Sequence, residues 1–227
     1  RDALERWYGP DSGRNRDMMY YLTVYNEPMV QPAEPENVDV EGILGGIYKV
    51  ADAPAGQGPQ VSLLASGVGV PWVLQAREML LEHWGVRASV YSVTSWNQLR
   101  RNALEVDEHN FLHPEQPAQV PFLSQKLAGA TGPFIATSDY DHLVPDQIRQ
   151  WIPGDYHVLG ADGFGFSDTR AAARRFFKID AASVVTKALE ALAKQGQVDR
   201  SLVGQAIDRY DLLNVRAGNS GAQGGDA

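Results

Sequence analysis

The sequence predicts an α/β domain with a mostly parallel sheet and helices on both of its faces. From about residue 42 onward, short apolar runs of strand length alternate with longer segments whose apolar residues follow helical spacing. Glycines such as Gly85 and Gly196 stop helical segments, and residues such as Asp180 are suited to begin them. Strands that alternate with helices favour parallel pairing, because each helix returns the chain to the same edge of the sheet.

The individual elements have recognisable ends. Thr94 or Ser95 can cap a helix that runs to about residue 103, Pro145 suits the first turn of a later helix, and Asp199 is placed to cap the last one. The predicted strands cover residues 43–50, 61–66, 88–93, 134–138 and 156–159, and the other predicted helices cover residues 71–84, 122–128, 144–152, 171–177, 180–195 and 201–210.

The first forty residues follow a different pattern. Residues 3–8 resemble the end of a helix, and residues 18–25 form a nearly unbroken apolar run, typical of a strand buried on both faces. Pro28, Pro32 and Pro35 then indicate a linker, because proline removes amide donors and favours extended backbone. We therefore predict another domain at residues 1–33, a linker at 34–41, the α/β domain at 42–213 and a disordered tail at 214–227.

Composition narrows the class of protein. The 227 residues carry a formal net charge of −8, which argues against a nucleic-acid-binding surface, and no apolar run is long enough to predict a membrane span. The absence of cysteine excludes disulfides, thiolate metal sites and cysteine nucleophiles, and it fits a cytoplasmic protein. Because the chain starts at Arg1 without an initiator Met, we expect a piece of a larger polypeptide or a chain whose start was not retained.

Few residue patterns indicate chemistry of their own. The five histidines lack the spacing of a zinc site, and for His113, which precedes Pro114, a structural hydrogen-bonding role is favoured. No serine lies in the Gly-x-Ser-x-Gly pattern of a nucleophile elbow. The glycines at 67 and 69 could cradle a phosphate before the next helix, but Pro71 removes one amide donor, so a tight turn is favoured.

The most distinctive segment is the glycine loop, residues 160–169 (GADGFGFSDT), between a predicted strand and a predicted helix. Its three glycines provide backbone freedom, and we expect at least one of them to have a positive φ. The serine, aspartate and threonine that end the loop are all suited to cap the next helix. Its two carboxylates are expected to bind neighbouring amides or a partner surface. The predicted structural residues are Gly160, Asp162, Gly163, Gly165 and Asp168.

Six segments together resemble one family: residues 20–27 (YYLTVYNE), 45–48 (GGIY), 90–96 (VYSVTSW), 113–114 (HP), 138–140 (SDY) and the glycine loop with Arg170. That family is the homodimeric-type, thiamine-diphosphate-dependent first component of the pyruvate dehydrogenase complex, a relative of transketolase. The resemblance extends from about residue 18 to residue 210. It implies a transketolase-like C-terminal domain at residues 42–213, preceded at residues 1–33 by the end of the second, pyrimidine-binding cofactor domain.

The resemblance implies an enzyme that decarboxylates pyruvate and acetylates lipoyl groups. Its thiamine diphosphate and magnesium would be bound by upstream domains, because this chain lacks the family's Gly-Asp-Gly turn and any Asn-Asn pair. We therefore predict no catalytic residue, no metal ligand and no cofactor in this chain alone. The implied partners are the upstream domains, a homodimer partner and the lipoyl domains of the acyltransferase component.

The resemblance also places Asn26 and Glu27 at the edge of the active site. Many members of the family have a histidine four positions after the asparagine, and this chain has Val30 there, so no general-acid role is transferred. Two alternatives stay open. The chain is either one subunit of a split transketolase-type two-carbon transferase, whose partner carries the cofactor motifs, or a non-catalytic interaction module derived from this domain.

Overall fold

The computed structural model describes residues 2–9, 19–25, 30, 33 and 37–219. The chain divides into two compact units, residues 1–31 and residues 32–227. Within the described ranges, no helix combines the length and apolarity that crossing a lipid bilayer requires.

The first unit contains helix α1 (Asp2–Tyr8). The Asp2 carboxylate accepts a hydrogen bond from the Tyr20 hydroxyl at 2.5 Å and another from Arg6 Nε at 3.0 Å. Residues 19–25 form no strand, contrary to the prediction for residues 18–25, of which Met18 lies outside the described residues. A strand needs a neighbouring strand for its amides and carbonyls, and no strand pairs with this segment in the described part of the chain.

The second unit is built on five strands: β1 (Ile47–Ala51), β2 (Gln60–Ala65), β3 (Arg87–Val93), β4 (Phe134–Thr137) and β5 (Tyr156–Leu159). Their order in the sheet is β1-β3-β2-β4-β5. Strand β1 is antiparallel to β3, whereas β3, β2, β4 and β5 run parallel to one another. The prediction of a mostly parallel sheet is confirmed.

Eight helices belong to the described part of this unit. They are α2 (Val40–Gly45), α3 (Gly69–Trp84), α4 (Trp96–Leu112), α5 (Phe122–Leu127), α6 (Leu143–Asp146), α7 (Arg170–Phe176), α8 (Ala181–Lys194) and α9 (Ser201–Arg209). Short 3-10 helices lie at Arg149–Trp151 and Val215–Asn219. The second of these occupies part of the predicted disordered tail, and residues 220–227 lie outside the described residues.

The start of the predicted first strand is instead helix α2. The Asp39 carboxylate accepts a 2.8 Å hydrogen bond from the amide of Gly42 and so caps this helix. Gly46 ends the helix with φ 112°, a conformation that favours glycine, and β1 begins at the next residue. The apolar run at 43–50 therefore contains one turn of helix and then a strand, which hydrophobicity alone does not separate.

Helices cover both faces of the sheet, as predicted. One core contains Leu63, Ile135 and Leu189, packed between the sheet and helices α3, α8 and α9. The other core contains Leu64 and Leu99, packed between the opposite face and helices α4 and α5. Successive side chains along each strand point to opposite faces of the sheet, so each strand contributes apolar residues to both cores. The burial of these residues provides the main stabilisation of the unit.

Candidate functional site

The four parallel strands end at the same edge of the sheet, where ligand sites of α/β proteins usually collect. Four segments meet that edge: residues 66–68 after β2, 94–95 after β3, 138–142 after β4 and the glycine loop after β5. The geometry of these segments defines what the edge can bind.

The segment after β2 is a tight turn, as predicted. The amide of Gly69 donates to the Ser66 carbonyl at 2.9 Å, and Gly67 has φ 52°. The buried hydroxyls of Ser66 and Ser138 lie 3.0 Å apart and bond to each other. Because a Cβ on Gly69 would lie 3.3 Å from the Thr137 carbonyl oxygen, the turn packs closely against β4.

The glycine loop needs its glycines for two different reasons. Gly163 has φ 97° and Gly165 has φ 101°, which confirms the expectation of at least one positive φ. Gly160 is required by close approach instead, since a Cβ there would lie 2.6 Å from the backbone nitrogen of His142. The loop therefore has a closely packed base at Gly160 and a tip at residues 163–165 whose backbone conformation only glycine adopts without strain.

Asp162 joins the glycine loop to the segment after β4. Its carboxylate accepts a 2.9 Å hydrogen bond from the His142 amide, and its other oxygen lies 2.6 Å from His142 Nδ1. The backbone bond, with a smaller contribution from the imidazole, lowers the pKa of Asp162 below its usual value. A backbone hydrogen bond of 2.8 Å from Ala161 to the Tyr140 carbonyl fixes the same pair of loops.

Asp168 is engaged at the other end of the loop. Its carboxylate accepts a 2.7 Å hydrogen bond from the amide of Thr169. Thr169 in turn caps α7, because its hydroxyl accepts from the amide of Ala172 at 3.3 Å. Of the three predicted capping candidates, Thr169 performs that role, and both carboxylates bind neighbouring amides.

The structure shows a solvent-exposed aromatic side chain that the sequence reasoning missed. Phe164, at the tip between Gly163 and Gly165, is fully exposed, with a relative accessibility of 114%. Phe166 stacks on Phe176 with ring centroids 4.4 Å apart and planes 7° from parallel. The available signal was an aromatic residue with a glycine on each side, because such a residue in a glycine-rich loop is poorly placed to pack into the core.

The histidines have neighbours that explain most of them structurally. Nδ1 of His113 lies 3.0 Å from the His109 carbonyl oxygen and 3.2 Å from His109 Nδ1. His83 shares the Tyr210 hydroxyl with Trp84, each nitrogen at 2.9 Å. Among the described residues, no three histidine, cysteine, aspartate or glutamate side chains are grouped closely enough to hold a metal ion.

This edge does not fit the magnesium diphosphate group of a thiamine enzyme. Magnesium in such a site takes several oxygen ligands in octahedral geometry. Asp162 is already held by His142, and no cluster of three potential ligands stands near it in the described ranges. The predicted edge residues Asn26 and Glu27 lie outside the described residues, and Val30 is described and 90% exposed.

Comparison with known proteins defines the class. The transketolase-like TK C-terminal domain family matches residues 46–180, which is more than half of the chain. The chain therefore belongs to this family, in agreement with the fold. A transketolase from Leishmania mexicana superimposes with a TM-score of 0.46 at 21% identity, over 74% of this chain and 22% of that one.

The particular relatives are pyruvate dehydrogenase E1 components. The one from Mycolicibacterium smegmatis is 48% identical over 215 residues, which cover 95% of this chain and 23% of the relative. The one from Escherichia coli K12 is 41% identical over 212 residues, with 93% and 23% covered. The chain is thus homologous to the C-terminal region of pyruvate dehydrogenase E1 and spans about a quarter of the length of these curated relatives.

Proposed function

We propose that this chain is the C-terminal part of the thiamine-diphosphate-dependent enzyme that decarboxylates pyruvate and acetylates lipoyl groups. It acts only together with the cofactor-binding region that precedes it in the polypeptide. The observation that carries the proposal is the 41–48% identity to E1 components across nearly the whole chain. That identity favours a pyruvate enzyme over the alternatives of a split two-carbon transferase or a non-catalytic module.

The exposed first unit supports the need for a partner. Met19, Tyr21 and Val24 are almost fully exposed in the chain alone, and residues 19–25 have no strand partner among the described residues. Such an apolar run is expected to be covered, since exposed apolar surface of this kind promotes association. We propose that residues 1–33 complete the second cofactor domain and that residues 34–41 link it to the domain at 42–213.

We propose that the domain supports the active site and supplies no reacting group. The loops at the carboxyl edge are tied together by Asp162 and present a fixed surface to the upstream region. Asn26 and Glu27 are proposed to stand at the edge of the active site, while the cofactor with its magnesium is held upstream. The homodimer partner and the lipoyl domains are the other proposed partners, and the cytoplasm is the proposed compartment.

Reconstitution tests this proposal. The region of the Mycolicibacterium smegmatis E1 component that precedes the segment matched by this chain would be produced separately and mixed with this chain. With thiamine diphosphate, magnesium and pyruvate, the mixture is expected to reduce an artificial electron acceptor, whereas each part alone is not. Transfer of a two-carbon unit from a ketose phosphate, without turnover of pyruvate, would support the split transferase instead. A complex that forms and catalyses neither reaction would contradict both enzymatic functions.

A further inference from the structure

We propose that the glycine loop is a docking surface whose anchor is Phe164. The anchor inserts into an apolar pocket, edged by basic side chains, on the cofactor-binding region that precedes this domain in E1 components. This inference rests on the proposed function and names a further contact between the two regions, besides the one proposed for residues 1–33.

The exposure of Phe164 is the first observation. A phenylalanine that stands wholly in water forgoes the stabilisation that its burial would provide. The flanking positive-φ glycines lift it away from the domain, and neither glycine has a heavy atom within 4 Å of where its Cβ would stand. Large aromatic side chains that enter a pocket are the common anchors of protein interfaces.

The loop beneath the anchor is held on both sides. On the N-terminal side, Gly160 packs against residues 141–142 and Asp162 bonds to His142. On the C-terminal side, Phe166 stacks on Phe176 of helix α7. Because these contacts already order the base, binding through Phe164 would cost little further conformational entropy.

The charge around the anchor indicates the chemistry of the occupant. Asp141, Asp162 and Asp168 place three exposed carboxylates on or beside the loop. Among nearby cations, Arg170 begins helix α7, and Arg174 lies over the Trp72 ring at 5.0 Å. The three carboxylates outnumber these two arginines by one, so this acidic rim around the loop has a small excess of negative charge, and a pocket edged by lysine or arginine is its complement.

Two considerations select the upstream region as the occupant. The relatives continue for about three quarters of their length outside the part matched by this chain, so most of the protein surface available to this domain within an E1 component lies in that remainder. In a symmetric contact between two copies of this chain, the same acidic rim would face itself, and like charges at an interface oppose association.

A binding experiment with a matched control tests the inference. The upstream region of the Mycolicibacterium smegmatis E1 component is first shown to be folded by its binding of thiamine diphosphate in calorimetry. Its affinity for this chain is then measured for wild type, Phe164→Ser and Phe111→Ser. Phe111 is also strongly exposed, at 82%, but it lies near the C-terminal end of α4, away from the strand ends at which that helix begins.

The expected results distinguish a specific anchoring role of Phe164 from the general effect of removing an exposed aromatic side chain. Phe164→Ser should raise the Kd at least about tenfold, in the range of interface anchors, while Phe111→Ser changes it less than about twofold. Both variants should melt at the temperature of the wild type, since neither side chain is packed in the domain. Higher ionic strength should slow association of the wild type, because the rim attracts basic groups.

Each contrary result has a distinct meaning. Wild-type binding that Phe164→Ser leaves unchanged would overturn the docking inference and leave the proposed function standing. Failure of the wild-type chain to bind the folded upstream region would contradict the proposed function as well. Self-association of this chain in sedimentation experiments that Phe164→Ser abolishes would overturn the inference in favour of a second copy as occupant.

Discussion

The Asp162 carboxylate accepts a 2.9 Å hydrogen bond from the backbone amide of His142, twenty residues earlier in the chain. This bond joins the loops that follow β4 and β5, the last two neighbouring strands of the sheet. It also explains why a sequence that resembles part of a metal-binding turn, Gly-Ala-Asp-Gly, is structural here: the carboxylate is committed to an amide. The relationship leads to a prediction about the pH dependence of stability.

Asp162→Asn should destabilise the domain at neutral pH, and the difference should disappear in acid. The folded-state pKa of Asp162 is lowered below its usual value, first by the His142 amide. Ionised Asp162 therefore contributes stability above the unfolded-state pKa of about 3.9. That contribution is lost as the pH falls through the lower folded-state pKa. Thermal melting of both proteins from neutral pH to well below the unfolded-state pKa measures the convergence.

His142→Ala provides the control for that experiment. It removes the imidazole and keeps the backbone amide, which is the larger cause of the lowered pKa of Asp162. Most of the pH dependence should therefore remain in this variant. If His142→Ala removes all of it, the imidazole, and not the amide, is the principal partner.

The glycines of the loop should respond differently to alanine. Gly163→Ala and Gly165→Ala each should lower the free energy of unfolding by about 1 kcal/mol, because alanine is strained at positive φ. Gly160→Ala should cost more, because its Cβ would overlap the backbone of residues 141–142. Gly129→Ala is the control, since it has open space around it and no positive φ. Denaturant titration that finds all four alike would show that the loop conformation is unconstrained.

Much of the fold could be predicted because its signals are local. The five strands of the sheet follow short apolar runs, and caps such as Asp180 and ends such as Gly85 mark where helices begin and stop. The positive φ at Gly163 and Gly165 followed from the density of glycine in one loop. These features depend on residues close together in sequence, which is the information that a single sequence contains.

The features that could not be predicted depend on distant partners. Helix α4 continues to Leu112, nine residues beyond its predicted end, since burial of Val106 against the domain extends it past a polar stretch. The bond between Asp162 and His142 and the exposure of Phe164 arise only when two loops are brought together. The run at 19–25 shows the converse: its sequence favours a strand, but a strand forms only where another strand accepts its hydrogen bonds.

Calorimetry should show that this chain alone does not bind thiamine diphosphate with magnesium. The expected titration has no saturable heat, because the sequence lacks both the Gly-Asp-Gly turn and the Asn-Asn pair that supply the metal ligands in the resembled family. Asp162, the aspartate that most resembles such a ligand, is held by His142. The upstream region of the Mycolicibacterium smegmatis relative is the positive control. Micromolar binding by this chain alone would contradict the assignment of the cofactor to the upstream region.

Deletion of residues 1–33 should convert a self-associating chain into a soluble monomer. In the intact chain, apolar side chains such as Met19, Tyr21 and Val24 are exposed and invite association. The remaining unit retains its complete sheet, with helices covering both faces, so it should keep the melting temperature of the parent. Sedimentation velocity over a range of concentrations measures the change in mass.

The same deletion should abolish reconstitution with the upstream region, because the segment at 1–33 is proposed to complete the sheet of the second cofactor domain. A double substitution distinguishes loss of the apolar segment from mere shortening of the chain. Tyr21→Asp with Val24→Asp keeps every residue in place and makes the run polar, so it should reduce both self-association and the reconstituted pyruvate activity. A deletion variant that restores full activity would show that the segment is dispensable and that the boundary between the two domains lies elsewhere.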